Sequence, residues 1–152
     1  MPKKSKAALL NSAQNLIEIK LYYTWKKNKK GYERLVILED KEAEKRLADE
    51  TKKDEVDSIV TKWRNITWRE QNDLLKQTTK ADTVTGGVDI DYNTYRDRRI
   101  KTCLVSWDIT NDDGNPVKVT PDVIDRMDAE IVASLVDRYE QAISYDEEEE
   151  KK

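Results

Sequence analysis

From Ile17 to Tyr23 apolar and polar side chains alternate. Ile17, Ile19, Leu21 and Tyr23 fall on one side and Glu18, Lys20 and Tyr22 on the other, the period of a half-buried strand. A second β-rich run, Tyr32 to Leu38, is centred on Leu35, Val36 and Ile37. Between them Lys26–Gly31 is a polar turn, with Asn28 and Gly31 able to accept positive φ. The pattern predicts a β-hairpin over residues 16–38. An isolated hairpin is marginal in water, so its apolar face must be covered by something else.

The pattern then changes period. Asp40–Asp54 is rich in Lys, Glu and Ala with little to bury beyond Ala43, Leu47 and Ala48, which predicts an exposed helix or helical linker. Val56, Ile59, Val60 and Trp63 fall at i, i+3, i+4 and i+7, the spacing of a helix re-entering the core, although Ser58–Thr61 reads equally as strand. Thr67-Trp68-Arg69-Glu70 is a capping box opening a helix that ends near Thr79, with Trp68, Leu74 and Leu75 lining one side. Asp82–Gly87 is a turn-rich break, and Val88–Asp91 is at most a short strand. Asn93 is positioned to cap a third helix, in which Ile100, Cys103, Leu104 and Trp107 again fall at i, i+3, i+4 and i+7. After the loop Asn111–Pro116, Thr120 caps a short helix with Pro121 at its first position. Asp128 caps a last helix whose apolar side is Ile131, Val132, Leu135, Val136, Tyr139 and Ile143. The fold class predicted is α+β, an N-terminal β-hairpin followed by a mostly α-helical domain. One small domain spans 15–145 (hairpin 16–38, helical region 56–145), between a basic flexible arm at 1–14 and an acidic disordered tail at 146–152.

Composition narrows the function classes. Of 152 residues 37% are hydrophobic and 39% charged, and Leu, Ile and Val together number 33, enough for one modest core. No run of about 18 apolar residues exists, so no membrane span is expected, and no signal peptide is recognisable. There is no histidine, which removes Ser-His-Asp and Cys-His catalysis and the common zinc sites. The single cysteine, Cys103, fits a reducing compartment and lies on an apolar stripe, as a small hydrophobe would. Net charge is −3 but polarised: residues 1–30 hold eight lysines against Glu18, and residues 121–152 hold eleven acids against four bases. Two solvated ends account for this. A basic arm and an acidic tail with different partners is the functional alternative, and the basic segment is too short and mixed to announce nucleic-acid binding.

Candidate chemistry is sparse. Were Gly114 the sixth position of a calcium loop, the first and twelfth would be Ile109 and Thr120, neither a carboxylate. Thr85-Gly86-Gly87 lacks the Lys-Ser/Thr of a phosphate loop. Asp89 and Asp91 share one face of a possible strand, with nothing convergent around them. No catalytic constellation, metal site or cofactor site is expected, and an enzyme is not the reading. The four tryptophans, Trp25, Trp63, Trp68 and Trp107, are the candidate partner-binding residues, because tryptophan dominates interface hot spots. Core packing competes for Trp63, Trp68 and Trp107, which fall in apolar stripes. Trp25, beside the lysines of the hairpin turn, is the one expected at the surface.

The order of features from Ile66 to Ile143 resembles the tail assembly chaperones of long-tailed bacteriophages. The resemblance is carried by Ile66-Thr67-Trp68-Arg69-Glu70 opening a helix, then Asp91-Tyr92-Asn93-Thr94-Tyr95 before another. Leu104-Val105-Ser106-Trp107-Asp108-Ile109-Thr110 follows, leading into Asp112-Asp113-Gly114-Asn115-Pro116. Last comes Val119-Thr120-Pro121-Asp122-Val123-Ile124 before a closing amphipathic helix. It covers about half the chain, and its motifs are packing and capping signatures. The resemblance implies a non-enzymatic factor of the host bacterial cytoplasm that coats the tape measure protein, keeps its apolar helices soluble and helps recruit tail-tube subunits. A structural virion protein (a tail, neck or head-completion subunit retained in the particle) is the alternative. Self-association is compatible with either, and neither a membrane nor nucleic acid is an expected partner.

Overall fold

A computed structural model describes residues 6–10, 15–82 and 84–144. The acidic tail and most of the basic arm lie outside them. Of the arm, Lys6–Leu10 forms one 3-10 turn.

The fold is α+β. Strands β1 (Ile17–Lys27) and β2 (Glu33–Leu38) form the hairpin expected, closed by a turn in which Asn28 Oδ1 accepts from the amides of Lys30 and Tyr32. Gly31 in that turn has φ 86°, a conformation only glycine adopts without strain. Helix α1 (Asp40–Leu47) follows directly. Strand β3 (Asp57–Trp63) then pairs antiparallel with the other side of β1, and β6 (Leu104–Trp107) pairs with β3, giving the sheet order β2-β1-β3-β6. Between β3 and β6 the chain makes α2 (Trp68–Thr78), a two-stranded ribbon β4–β5 (Thr79–Ala81, Val88–Ile90) and α3 (Tyr92–Cys103). A short α4 (Pro121–Asp125) and a long α5 (Ala129–Ile143) complete the chain.

Register fixes which side chains meet. Ile19 lies opposite Thr61, Leu21 opposite Ile59 and Ile17 opposite Trp63, so these share one face of the sheet. That face is closed by α3 and α5, and Ile100, Cys103, Ile131, Leu135, Val136 and Tyr139 complete the buried core. Leu38 and Thr24 alternate to the other face and are buried there, with Ala43 of α1 also buried and the Thr24 hydroxyl donating to Glu55 O at 2.7 Å. A sheet between two unequal covers is thereby built from a chain with few large apolar residues.

Three local expectations are corrected. Residues 57–63 form a central strand: Ile59, Thr61 and Trp63 point inward at period 2, while backbone pairing with β1 and β6 on both sides outweighs the helical spacing of Val56, Ile59, Val60 and Trp63. The third helix stops at Cys103, and Leu104–Trp107 is strand, so 56–145 is not uniformly helical. The cause is a β-bulge. Thr61 pairs with Trp107 and Lys62 with Ser106, but Trp63 pairs with Leu104, leaving Val105 without an opposite residue. The extra residue turns Leu104 and Trp107 toward the same face at an odd separation, which on paper imitates a helix. The cap of α3 is Asp91, not Asn93, since the Asp91 side chain accepts from Thr94 N. The caps expected at Thr67, Thr120 and Asp128 are all present, the first as a full capping box.

Candidate interaction surface

The tryptophans separate into two inside and two outside. Trp63 is 0% exposed and stacks on Tyr139, with ring centroids 4.5 Å apart and planes at 17°. Its Nε1 donates to Thr61 Oγ1 at 2.7 Å, and that hydroxyl donates to Ile19 O at 2.8 Å, so every polar atom of the pair is satisfied inside the core. Trp63 therefore offers no surface to a partner, and its place among the contact residues is withdrawn. Trp107 is half-buried; its Nε1 donates to Val117 O at 2.6 Å and ties the 108–120 loop to the sheet. Trp25 is 53% exposed beside the hairpin turn, edge-on to Tyr23 at 6.4 Å.

Trp68 is 79% exposed, so core packing, the reading that competed for it, does not hold and its face is open to a partner. It occupies the first position of α2, whose entry is fixed by polar groups instead. Thr67 Oγ1 accepts from Glu70 N, Glu70 Oε1 accepts from Thr67 N, and Arg64 grips both Glu70 oxygens at 2.8 and 2.6 Å. This double grip, aided by the Thr67 amide and opposed by partial burial, holds the Glu70 carboxyl down at about 2. With its entry so anchored, α2 buries only Leu74 and Thr78, and Leu75 points outward.

A second polar cluster fixes α3 to α5. Arg99, buried, lies over the Tyr139 ring at 5.2 Å, and its Nε is 3.3 Å from Glu140 Oε1, close enough for an ion pair though off the line of a hydrogen bond. Tyr95 Oη donates to Glu140 Oε1 at 2.8 Å, and burial together with that carboxylate pushes the phenol up to about 12. Burial likewise raises Cys103 and Tyr139, so the thiol stays protonated at neutral pH, the opposite of an activated nucleophile. Both clusters have structural work, the first anchoring α2 beyond the end of β3 and the second fixing α3 to α5.

Part of what remains outside is apolar. Between α2 and α3 the ribbon exposes Val88 and Ile90, which sit opposite Ala81 and Thr79 and so share one face. With Trp68, Leu75, Val84 and Tyr92, six large apolar residues are exposed between positions 68 and 92. The ribbon is tied to the helices through Asp91 N, which donates to Thr78 O at 2.7 Å, and by Lys80, 3.6 Å from Asp91. Its legible signal in sequence is the alternation Val88-Asp89-Ile90 after a Gly-rich turn, in a place with no core to face.

No family model, curated protein or solved structure matches this chain. Among the described residues no group of three or more Cys, Asp or Glu is placed to hold a metal ion, and no helix is long and apolar enough to cross a membrane.

Proposed function

We propose that this chain is a phage tail assembly chaperone that acts by contact alone, covering apolar segments of a tape measure protein and helping to recruit tail-tube subunits. The observation that carries the proposal is the exposed apolar group on α2, the ribbon and the start of α3, headed by Trp68 and interspersed with Arg69, Asp73, Lys80 and Asp89. A holding protein needs apolar surface that a client can occupy, and charge around it to prevent self-precipitation. The same stretch contains the Thr67-Trp68-Arg69-Glu70 and Asp91-to-Tyr95 features on which the family resemblance rests. Co-expression with the tape measure protein of the same phage tests it: the tape measure protein is expected to move into the supernatant, and an unchanged insoluble fraction overturns the proposal.

The virion-subunit reading is favoured by a different observation. β2, six residues long, is an outer strand whose far side has no strand partner among the described residues, the geometry for strand addition by a neighbour. Stoichiometric recovery of this chain from purified particles would select that reading.

A further inference from the structure

On the core side of the hairpin, beyond the end of the helix cover, lies an open groove of about 530 Å³. Leu35, Ile59, Met127 and Ile131 contribute its apolar floor, and Trp25 forms an exposed aromatic wall. Three carboxylates line it, Asp57, Asp108 and Asp128, and no lining residue is cationic. Each carboxylate accepts from a backbone amide: Asp57 Oδ1 from Ser58 N and Asp128 Oδ1 from Glu130 N close by in sequence, and Asp108 Oδ1 from Val60 N on β3. An occupant suited to it is cationic at one end and aliphatic at the other.

The chain carries such a segment. Lys3, Lys4 and Lys6 precede Leu9 and Leu10, and both leucines are 84% exposed on the 3-10 turn Lys6–Leu10. We propose that this N-terminal arm docks in the groove of a second copy, its leucines on the apolar floor and its lysines toward the three aspartates.

Reach decides between copies. The arm enters β1 at Ile17, whereas the groove lies at Tyr23 and Trp25, six to eight residues or about 20–26 Å farther along the strand. From Leu10 to Ile17 a fully extended chain spans at most about 25 Å, and it would first have to reverse direction. The 3-10 turn adds only about 2 Å per further residue toward Leu9. A second copy imposes no such limit, and mutual exchange of arms closes a two-fold dimer in which each groove is filled. The inference is independent of the chaperone proposal, since the groove and the apolar group on α2 and the ribbon share no residue.

Sedimentation velocity on the full chain, with two complementary variants, tests it. The wild type is expected to form a dimer that weakens as salt is raised. Leu9→Ser/Leu10→Ser spoils the arm and leaves the groove; Trp25→Ala/Asp57→Lys spoils the groove and leaves the arm. Each alone is expected to sediment as a monomer. An equimolar mixture is expected to regain a one-to-one complex, because one intact arm then meets one intact groove, and this regain also shows that both variants are folded. A wild type that stays monomeric at micromolar concentration, an arm variant that still dimerises, or a mixture that stays monomeric each overturns the proposal.

Discussion

Trp63 and Trp68 are five residues apart and face opposite demands. Trp63 fills a closed site against Tyr139, so Trp63→Ala is expected to cost about 3–5 kcal/mol, whereas Trp68→Ala, at the surface, should change stability by no more than about 0.5 kcal/mol. Urea unfolding of the two variants checks the contrast, and equal losses would contradict the placement. Glu70 gives a pH signature of known sign. Its carboxyl is held at about 2 against an ordinary 4.5, so the folded state releases the proton more readily than the unfolded chain. Its contribution is fully present above pH 4.5 and is lost as pH falls toward 2. Glu70→Gln should therefore lower stability at neutral pH and flatten the acid limb of the stability curve between those values, with the two proteins converging at the acid end. Parallel curves across that window would show that the grip of Arg64 does not act through this proton.

At the level of elements, what could be read in the chain was what local chemistry decides. The hairpin rests on period 2 over Ile17–Tyr23 and on the Asn28–Gly31 turn, and α2, α4 and α5 on caps at Thr67, Thr120 and Asp128; all are local signals and all are found in the structure. Strand β3 was ambiguous because Ser58–Thr61 fits either period until β1 and β6 are there to pair with it. Strand β6 was concealed by its bulge, since a residue with no opposite number places Leu104 and Trp107 on one face three positions apart. The position of Trp68, a candidate contact residue for which core packing competed, stayed open in the sequence, because a hydrophobic side chain at the first position of a helix fits core or solvent equally well. The bulge makes a prediction of its own. Deleting Val105 removes the bulge and leaves Leu104 and Trp107 two positions apart, still on one face opposite Trp63 and Thr61, so it should cost well below the about 2–5 kcal/mol of truncating a buried leucine. Val105→Ala, which keeps the spacing, should cost no more than about 1 kcal/mol. Thermal or urea unfolding checks both, and a deletion as costly as the loss of a buried leucine would mean that the ladder does not re-form in regular register.

Taken whole, the molecule divides its apolar residues between two uses. Those on the inner faces of the sheet, α3 and α5 make one closed core, while the large ones from Trp68 to Tyr92, Leu74 excepted, stay outside on elements that bury little. The ribbon is the sharpest case: all three residues of β5 are exposed, and a short two-stranded ribbon has little stability of its own. Val88 and Ile90 therefore contribute little to the fold, and their exposure calls for a use. If that use is to hold a client, Val88→Ser/Ile90→Ser should leave the unfolding midpoint nearly unchanged, each substitution being worth no more than about 0.5 kcal/mol. The same variant should abolish the gain in tape measure solubility on co-expression, and Trp68→Ser should weaken it. Charge gives the control, because Lys80→Ala alters the same ribbon while keeping its apolar face and should retain the gain. A double variant that still solubilises the client would move the contact surface elsewhere, and one that unfolds would assign these side chains to the fold.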